Sequence, residues 1–115
     1  ELWPQLLARW ELLFLAELGF GLDLERCAAT GSTADLIYVS PKSGRAVSSV
    51  AGEPYADRLL CLPPFLRSMT SLASSPNEVV DGLELTGFFL ERYVFSPHGM
   101  ALPDGRASII KRLMC

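Results

Sequence analysis

The run Ser75-Pro76-Asn77-Glu78 limits what this chain can become more than any other feature. A serine before a helix can cap its first turn, a proline fits the first helical position where no N–H is needed, and a glutamate three residues after the cap completes the pattern. A helix therefore starts here. Val79, Val80, Leu83, Thr86, Gly87, Leu90 and Val94 follow as one stripe at helical spacing. Interior glycines such as Gly82 and Gly87 cost about 1 kcal/mol each against alanine, so Gly87, on the apolar face, predicts a neighbour packed close to the backbone. Ser96-Pro97-His98-Gly99 ends the helix. Asp104 then caps a last helix in which Ala107, Ile110, Leu113 and Met114 face the core, while Lys111 and Arg112 suit its C-terminal end.

The other end of the chain reads as a second long helix. Pro4 suits its first position, and Leu6, Leu7, Trp10, Phe14 and Leu18 fall within an arc of roughly 120° at helical spacing. That arc is the expected buried face. Leu12 and Leu15 lie on the opposite side, which predicts neighbours on two faces. Glu17 falls inside the apolar arc and must either pair with an arginine or escape at the helix end. Gly19 supplies the stop through a left-handed cap, with Phe20 placed to fold back on the last turn.

Between the helices, from Gly21 to Gly52, the period changes. Asp35 to Ser40 is rich in β-formers, Pro41-Lys42-Ser43-Gly44 has turn chemistry, and Arg45 to Ser49 can return as a second strand. This predicts a small hairpin. Glu53-Pro54 and Pro63-Pro64 then punctuate two short stretches, Tyr55 to Leu60 and Pro64 to Met69, each long enough for a turn or two of helix, and Ser71 to Ser75 reads as a connector. Cys61, after Leu59-Leu60, is expected to be a buried small hydrophobe.

At 115 residues this is one domain, residues 1–115, and a core without staples is within its reach. Half the residues are hydrophobic and the formal net charge is -3, which excludes a disordered chain and any global attraction to nucleic acid. No apolar run approaches the ~18 residues of a membrane span, so no membrane is expected. Cys27, Cys61 and Cys115 are odd in number and far apart, a pattern that fits a reducing cytoplasm. Beginning at Glu1 with no basic, apolar leader, the chain reads as an excised piece of something longer. Catalytic chemistry is sparse. His98 lies in a Pro/Gly loop with no nucleophile elbow or phosphate loop beside it, and Asp81, Glu84 and Glu91 read as a solvated helix face. The expectation is a protein that is not an enzyme and carries no cofactor.

One constellation is more specific. Arg9-Trp10-Glu11-Leu12-Leu13 runs into Glu17-Leu18-Gly19-Phe20-Gly21-Leu22-Asp23-Leu24, then Arg26-Cys27-Ala28-Ala29-Thr30-Gly31. This resembles the C-terminal part of the RecO family of DNA repair proteins, where a helix ending in a Leu-Gly-aromatic-Gly turn leads into a Cys-x-x-Cys-Gly element. Tyr38-Val39-Ser40-Pro41 with Gly44-Arg45 is similar to the family's hairpin, and Phe88 to Arg106 to its closing segment. The resemblance implies a mostly α fold: a small helical domain with a degenerate zinc-finger-like β-hairpin insert at about residues 23–52. The family's N-terminal OB-fold, its main single-strand platform, is not in this sequence. Zinc-bearing members use four thiolates, whereas Cys27, Thr30, Ser48 and Ala51 occupy those places here. The hairpin is then expected to hold by packing of Leu36, Ile37, Tyr38 or Val39, with no metal.

The resemblance also implies non-enzymatic work in recombination: helping load recombinase onto single strands coated by single-strand-binding protein (SSB), annealing strands, and contacting the partner RecR. The SSB tail, acidic and ending in a hydrophobic residue with a free carboxylate, calls for a guanidinium beside an apolar wall. Arg9, which matches the family's arginine before the aromatic-Glu-Leu motif, and Leu13, one turn on, are the expected site; the plainer alternative is a helix arginine paired with Glu1 or Glu11. DNA phosphates would be met by local cations, Lys42 and Arg45 at the hairpin and Arg106, Lys111 and Arg112 near the end. A helical scaffolding domain without a nucleic-acid role is the alternative from another class, and a hydrolase using His98 is the third.

Overall fold

In the computed structural model, which describes residues 3–67, 75–100 and 102–114, the first helix α1 runs Trp3–Glu17 and stops where its glycine predicts. Gly19 sits at φ +89. Its N–H donates to Ala16 O (3.1 Å) and the Phe20 N–H to Leu15 O (2.9 Å), the pair of bonds that closes a helix through a left-handed residue. The Phe20 ring stacks on that of Tyr93.

The hairpin forms as its turn chemistry predicts, with β1 (Leu36–Val39) antiparallel to β2 (Ala46–Ser48) and an irregularity between Leu36 and Tyr38. Leu36 and Val39 are buried, Tyr38 half-buried and Ile37 exposed. A short helix α2 (Ser49–Gly52) and a 3-10 stretch (Glu53–Arg58) follow, then a strand that the sequence does not announce, β3 (Leu60–Cys61). It pairs with β1 through Tyr38–Cys61 and Val39–Leu60, so the sheet order is β2-β1-β3. Cys61 is exposed there, not buried, because a two-residue edge strand turns one side chain outward. The turn Pro64–Leu66 buries Phe65 and Leu66. Of the expected connector Ser71 to Ser75, residues 71–74 lie outside the described residues, as do Ser68 and Met69 of the preceding stretch.

Helix α3 (Pro76–Leu90) starts at Ser75, although the serine side chain makes no capping bond; Glu78 N–H donates to the Ser75 carbonyl instead (3.2 Å). Its predicted stripe is buried from Val79 to Leu90, with Val94 half-buried in the π-turn Glu91–Phe95 that continues it. Gly87 is needed for a close approach. A Cβ there would lie 2.6 Å from Nη1 of Arg106 on the last helix, α4 (Asp104–Met114). Ile110 is half-buried as expected, but Ala107 is exposed, since α4 presents Arg106 inward. The side chains of Leu113 and Met114, also expected in the core, lie outside the described residues.

One correction concerns α1. Its buried face is Pro4, Gln5, Ala8, Glu11 and Leu15, whereas Leu6, Trp10, Leu13 and Leu18 are exposed and Leu7 and Phe14 half-buried. The helix is thus turned by roughly a third of a revolution from the apolar-arc expectation. Glu11 makes this possible: its carboxylate accepts from Arg106 Nε (2.6 Å), Arg106 Nη2 (2.9 Å) and Thr86 Oγ1 (2.6 Å), joining α1, α3 and α4. Glu17 escapes to solvent at the helix end.

Candidate functional site

Arg9 lies at the border between the buried and exposed faces of α1. Its Nε donates to Phe65 O (3.2 Å) and its guanidinium carbon is 5.8 Å from the centre of the Phe65 ring, so the buried turn Pro64–Leu66 fixes the group's position. Leu13 is 58% exposed, as is Trp10, which stacks on Phe14 with ring centres 5.1 Å apart. Helical spacing places Leu13 one turn beyond Arg9. A guanidinium thereby stands beside an uncovered apolar strip. On the other flank of Trp10 an open groove of about 320 Å³ is lined by Leu7, Phe14, Leu90, Phe95 and Pro103, with the Glu11–Arg106 pair among its walls.

The candidate phosphate contacts divide. Lys42 is exposed at the hairpin turn, and Arg45 is half-exposed, its Nε 3.9 Å from Asp23 Oδ2. Lys111 and Arg112 are exposed in the last turn of α4. Arg106 is removed from this set: its side chain is 10% exposed, its Nε and Nη2 donate to Glu11, and Nη2 donates also to Leu83 O (2.6 Å). Sequence reasoning missed Arg92, which donates to Pro41 O at the hairpin turn and lies 5.5 Å from the Tyr93 ring centre. Glu91-Arg92 in sequence reads as an ordinary solvated pair; nothing there signals the hairpin.

The positions matched to zinc ligands do come together. Cys27 is 2% exposed, accepts from Ser48 N–H (3.3 Å) and donates to Ser48 Oγ (3.6 Å), while Ser48 Oγ also accepts from Ala51 N–H (3.3 Å). Burial pushes the Cys27 thiol up, but hydrogen bonds from Thr30 and Ser48 outweigh it and leave its pKa below the ordinary value. The donor set does not fit a tetrahedral zinc. It offers one thiol and two hydroxyls, Ala51 contributes none, and among the described residues no group of three or more His, Cys, Asp or Glu is gathered. Hydrogen bonds hold this corner instead. A metal chelator should leave the melting temperature unchanged, and a drop of several degrees on adding it would show that a metal supports the fold.

Elsewhere, His98 is exposed in the turn Ser96–His98, and Glu84 and Glu91 face solvent. Partial burial, followed by the charge of Glu78, raises the Asp81 pKa. No helix among the described residues is long and apolar enough to cross a membrane.

Comparison with known proteins agrees with the motif order. Residues 1–100 match the family model described as "Recombination protein O C terminal". The chain is 54% identical to the DNA repair protein RecO of Mesorhizobium japonicum over 109 residues, 95% of this chain and 43% of that protein. It is 58% identical to that of Methylocella silvestris over 106 residues, covering 91% and 43%, and 54% identical to that of Caulobacter vibrioides over 114 residues, covering 98% and 46%. The chain therefore spans under half the length of these relatives. No solved structure matches it significantly.

Proposed function

This chain belongs to the family of recombination protein O C-terminal domains, and we propose that it serves as the helical domain of a cytoplasmic, non-enzymatic recombination mediator in DNA repair. In this reading it helps load recombinase and anneal strands on single-stranded DNA coated by SSB, and it contacts RecR. Its own task is to hold the SSB tail. The observation that carries this is the Arg9 guanidinium, tethered to Phe65 and standing beside exposed Leu13. A tail ending in an apolar residue with a free carboxylate needs a charged clamp and an apolar wall next to each other.

Titration of an SSB tail peptide against wild type and Arg9→Ala tests the assignment. Truncating a charged anchor of this kind should weaken binding at least tenfold, about 1.4 kcal/mol or more, with the melting temperature little changed. Leu13→Ala should cost a few-fold, since an exposed leucine contributes packing alone. Equal affinities for wild type and Arg9→Ala would remove Arg9 from the site.

DNA contact falls to Lys42, Arg45, Lys111 and Arg112. With ten basic residues against thirteen acidic ones, binding is expected to be weak and to fall steeply with salt. The same acidic balance favours the second reading, a protein-interaction domain with no nucleic-acid role. Tail-peptide binding without any oligonucleotide binding at low salt would select it.

A further inference from the structure

Phe20 is the outermost of three stacked rings. Its ring lies 5.0 Å from that of Tyr93 at an interplanar angle of 6°, and Tyr93 lies 6.0 Å from Phe89 at 15°. Phe89 is fully buried, so the column is rooted in the core, while Phe20 at its end is 39% exposed. A ring held from behind in this way has little freedom left to lose when something flat settles on it.

Cations flank the column. The Arg92 guanidinium carbon is 5.5 Å from the Tyr93 ring centre and the group donates to the carbonyl of Pro41, the residue before exposed Lys42. Arg45, immediately before β2, has its Nε 3.9 Å from Oδ2 of Asp23, three residues beyond Phe20. The turn between them is stiff: Gly44 N–H donates to Ser40 O (2.9 Å) and Ser40 N–H to Arg45 O (2.9 Å). Asp23 is the carboxylate inside the group, and exposed Glu17 and Glu91 lie nearby in sequence. These three carboxylates equal the three cations in number, so the stacked ring rather than net charge distinguishes this patch.

We propose that Phe20, backed by Tyr93 and flanked by Arg92, Lys42 and Arg45, is a stacking subsite for one base of a single-stranded nucleic acid. Chemistry selects this occupant. An exposed ring accepts the π-face of any base, and neighbouring guanidinium and ammonium groups meet the phosphates on either side of it. A duplex buries its base faces and could use only the cations. The proposal rests on the nucleic-acid reading above and adds to it residues that the phosphate contacts alone do not supply.

The test is binding of labelled (dT)20, (rU)20 and a 20-base-pair duplex to the 115-residue chain at low salt, for wild type, Phe20→Leu, Phe20→Tyr and Arg92→Gln. Phe20→Leu should weaken single-strand binding roughly tenfold, the scale of one lost base stack, and Phe20→Tyr should restore it to within about twofold of wild type, a flat ring again being present. Arg92→Gln should weaken binding and flatten its salt dependence, by a slope of about 0.7 for each phosphate no longer neutralised. The preferred sugar identifies the source of the strand. Photo-crosslinking of a 5-iodouracil strand to the wild-type chain, read by mass spectrometry, should place the adduct on Phe20 or Tyr93 and is independent of any variant's fold. Equal binding of duplex and single strand with a silent Phe20→Leu would overturn the subsite, as would crosslinks confined to other residues or no oligonucleotide binding at all. Tail-peptide titration separates the two claims. Peptide binding that depends on Arg9 can survive loss of the base subsite, and base stacking at Phe20 can survive loss of the tail site.

Discussion

Replacing Arg106 with methionine is expected to remove about 3–5 kcal/mol of stability, a large share of the roughly 5–15 kcal/mol that holds a domain of this size. The guanidinium is bidentate on Glu11, at 2.6 and 2.9 Å, and the two side chains are 10% and 4% exposed. Without it, a carboxylate is left in the core with the neutral Thr86 hydroxyl still donating to it, and desolvation of that charge is no longer offset. The cost belongs to the orphaned charge rather than to the ion pair as such. A double variant, Glu11→Leu with Arg106→Met, should therefore recover most of the loss. Thr86 keeps partners in that variant, because its hydroxyl also reaches Gly82 O (3.1 Å) and Leu83 O (3.3 Å). Urea unfolding of wild type, single and double variants measures this directly. A single variant within 1 kcal/mol of wild type would mean that water reaches Glu11 and that the network does not set the packing of α1.

The same ion pair explains why α1 was legible as a helix but not in its orientation. Pro4, the apolar spacing and Gly19 mark its ends from local chemistry alone, and Ser75-Pro76 does the same for α3. Which face turns inward depends on Arg106, a residue 95 positions from Glu11. A glutamate looks like a solvent position until its counter-charge is known, so the apolar arc of Leu6, Trp10 and Leu18 wins by default in sequence and loses in the fold. The hairpin was readable because four consecutive residues, Pro41 to Gly44, carry turn chemistry. Strand β3 was not, since two residues cannot show alternation and their partner Tyr38 lies more than twenty positions back. At the candidate sites, Arg9 and Leu13 followed from the order of motifs, and Lys42 and Arg45 from the hairpin. Phe20, Arg92 and Tyr93 were hidden because the interactions that give them a setting, Phe20 with Tyr93 and Arg92 with Pro41, are made across the fold.

Phe89→Ala is expected to cost about 3–5 kcal/mol, the range for deleting a fully buried aromatic ring. Phe89 is 0% exposed, meets Phe88 edge-on at 5.1 Å and Tyr93 face to face at 6.0 Å, and lies against the hairpin turn at Gly44. Those neighbours cannot collapse into the space easily. Tyr93 is also stacked on Phe20, and Leu22 is packed close against the turn at Gly44, so both neighbours are held by other contacts. A large residual cavity puts the loss toward the upper end of that range. Phe89→Leu keeps most of the volume and should cost about 1.5 kcal/mol or less, but it removes the ring on which the aromatic column rests. The near-ultraviolet circular dichroism of the leucine variant should therefore fall while its helical signal stays at the wild-type level. Denaturant unfolding of both variants is the measurement. A loss below about 1.5 kcal/mol for alanine would show that the hairpin and the π-turn pack independently of each other, and that Phe89 does not connect them.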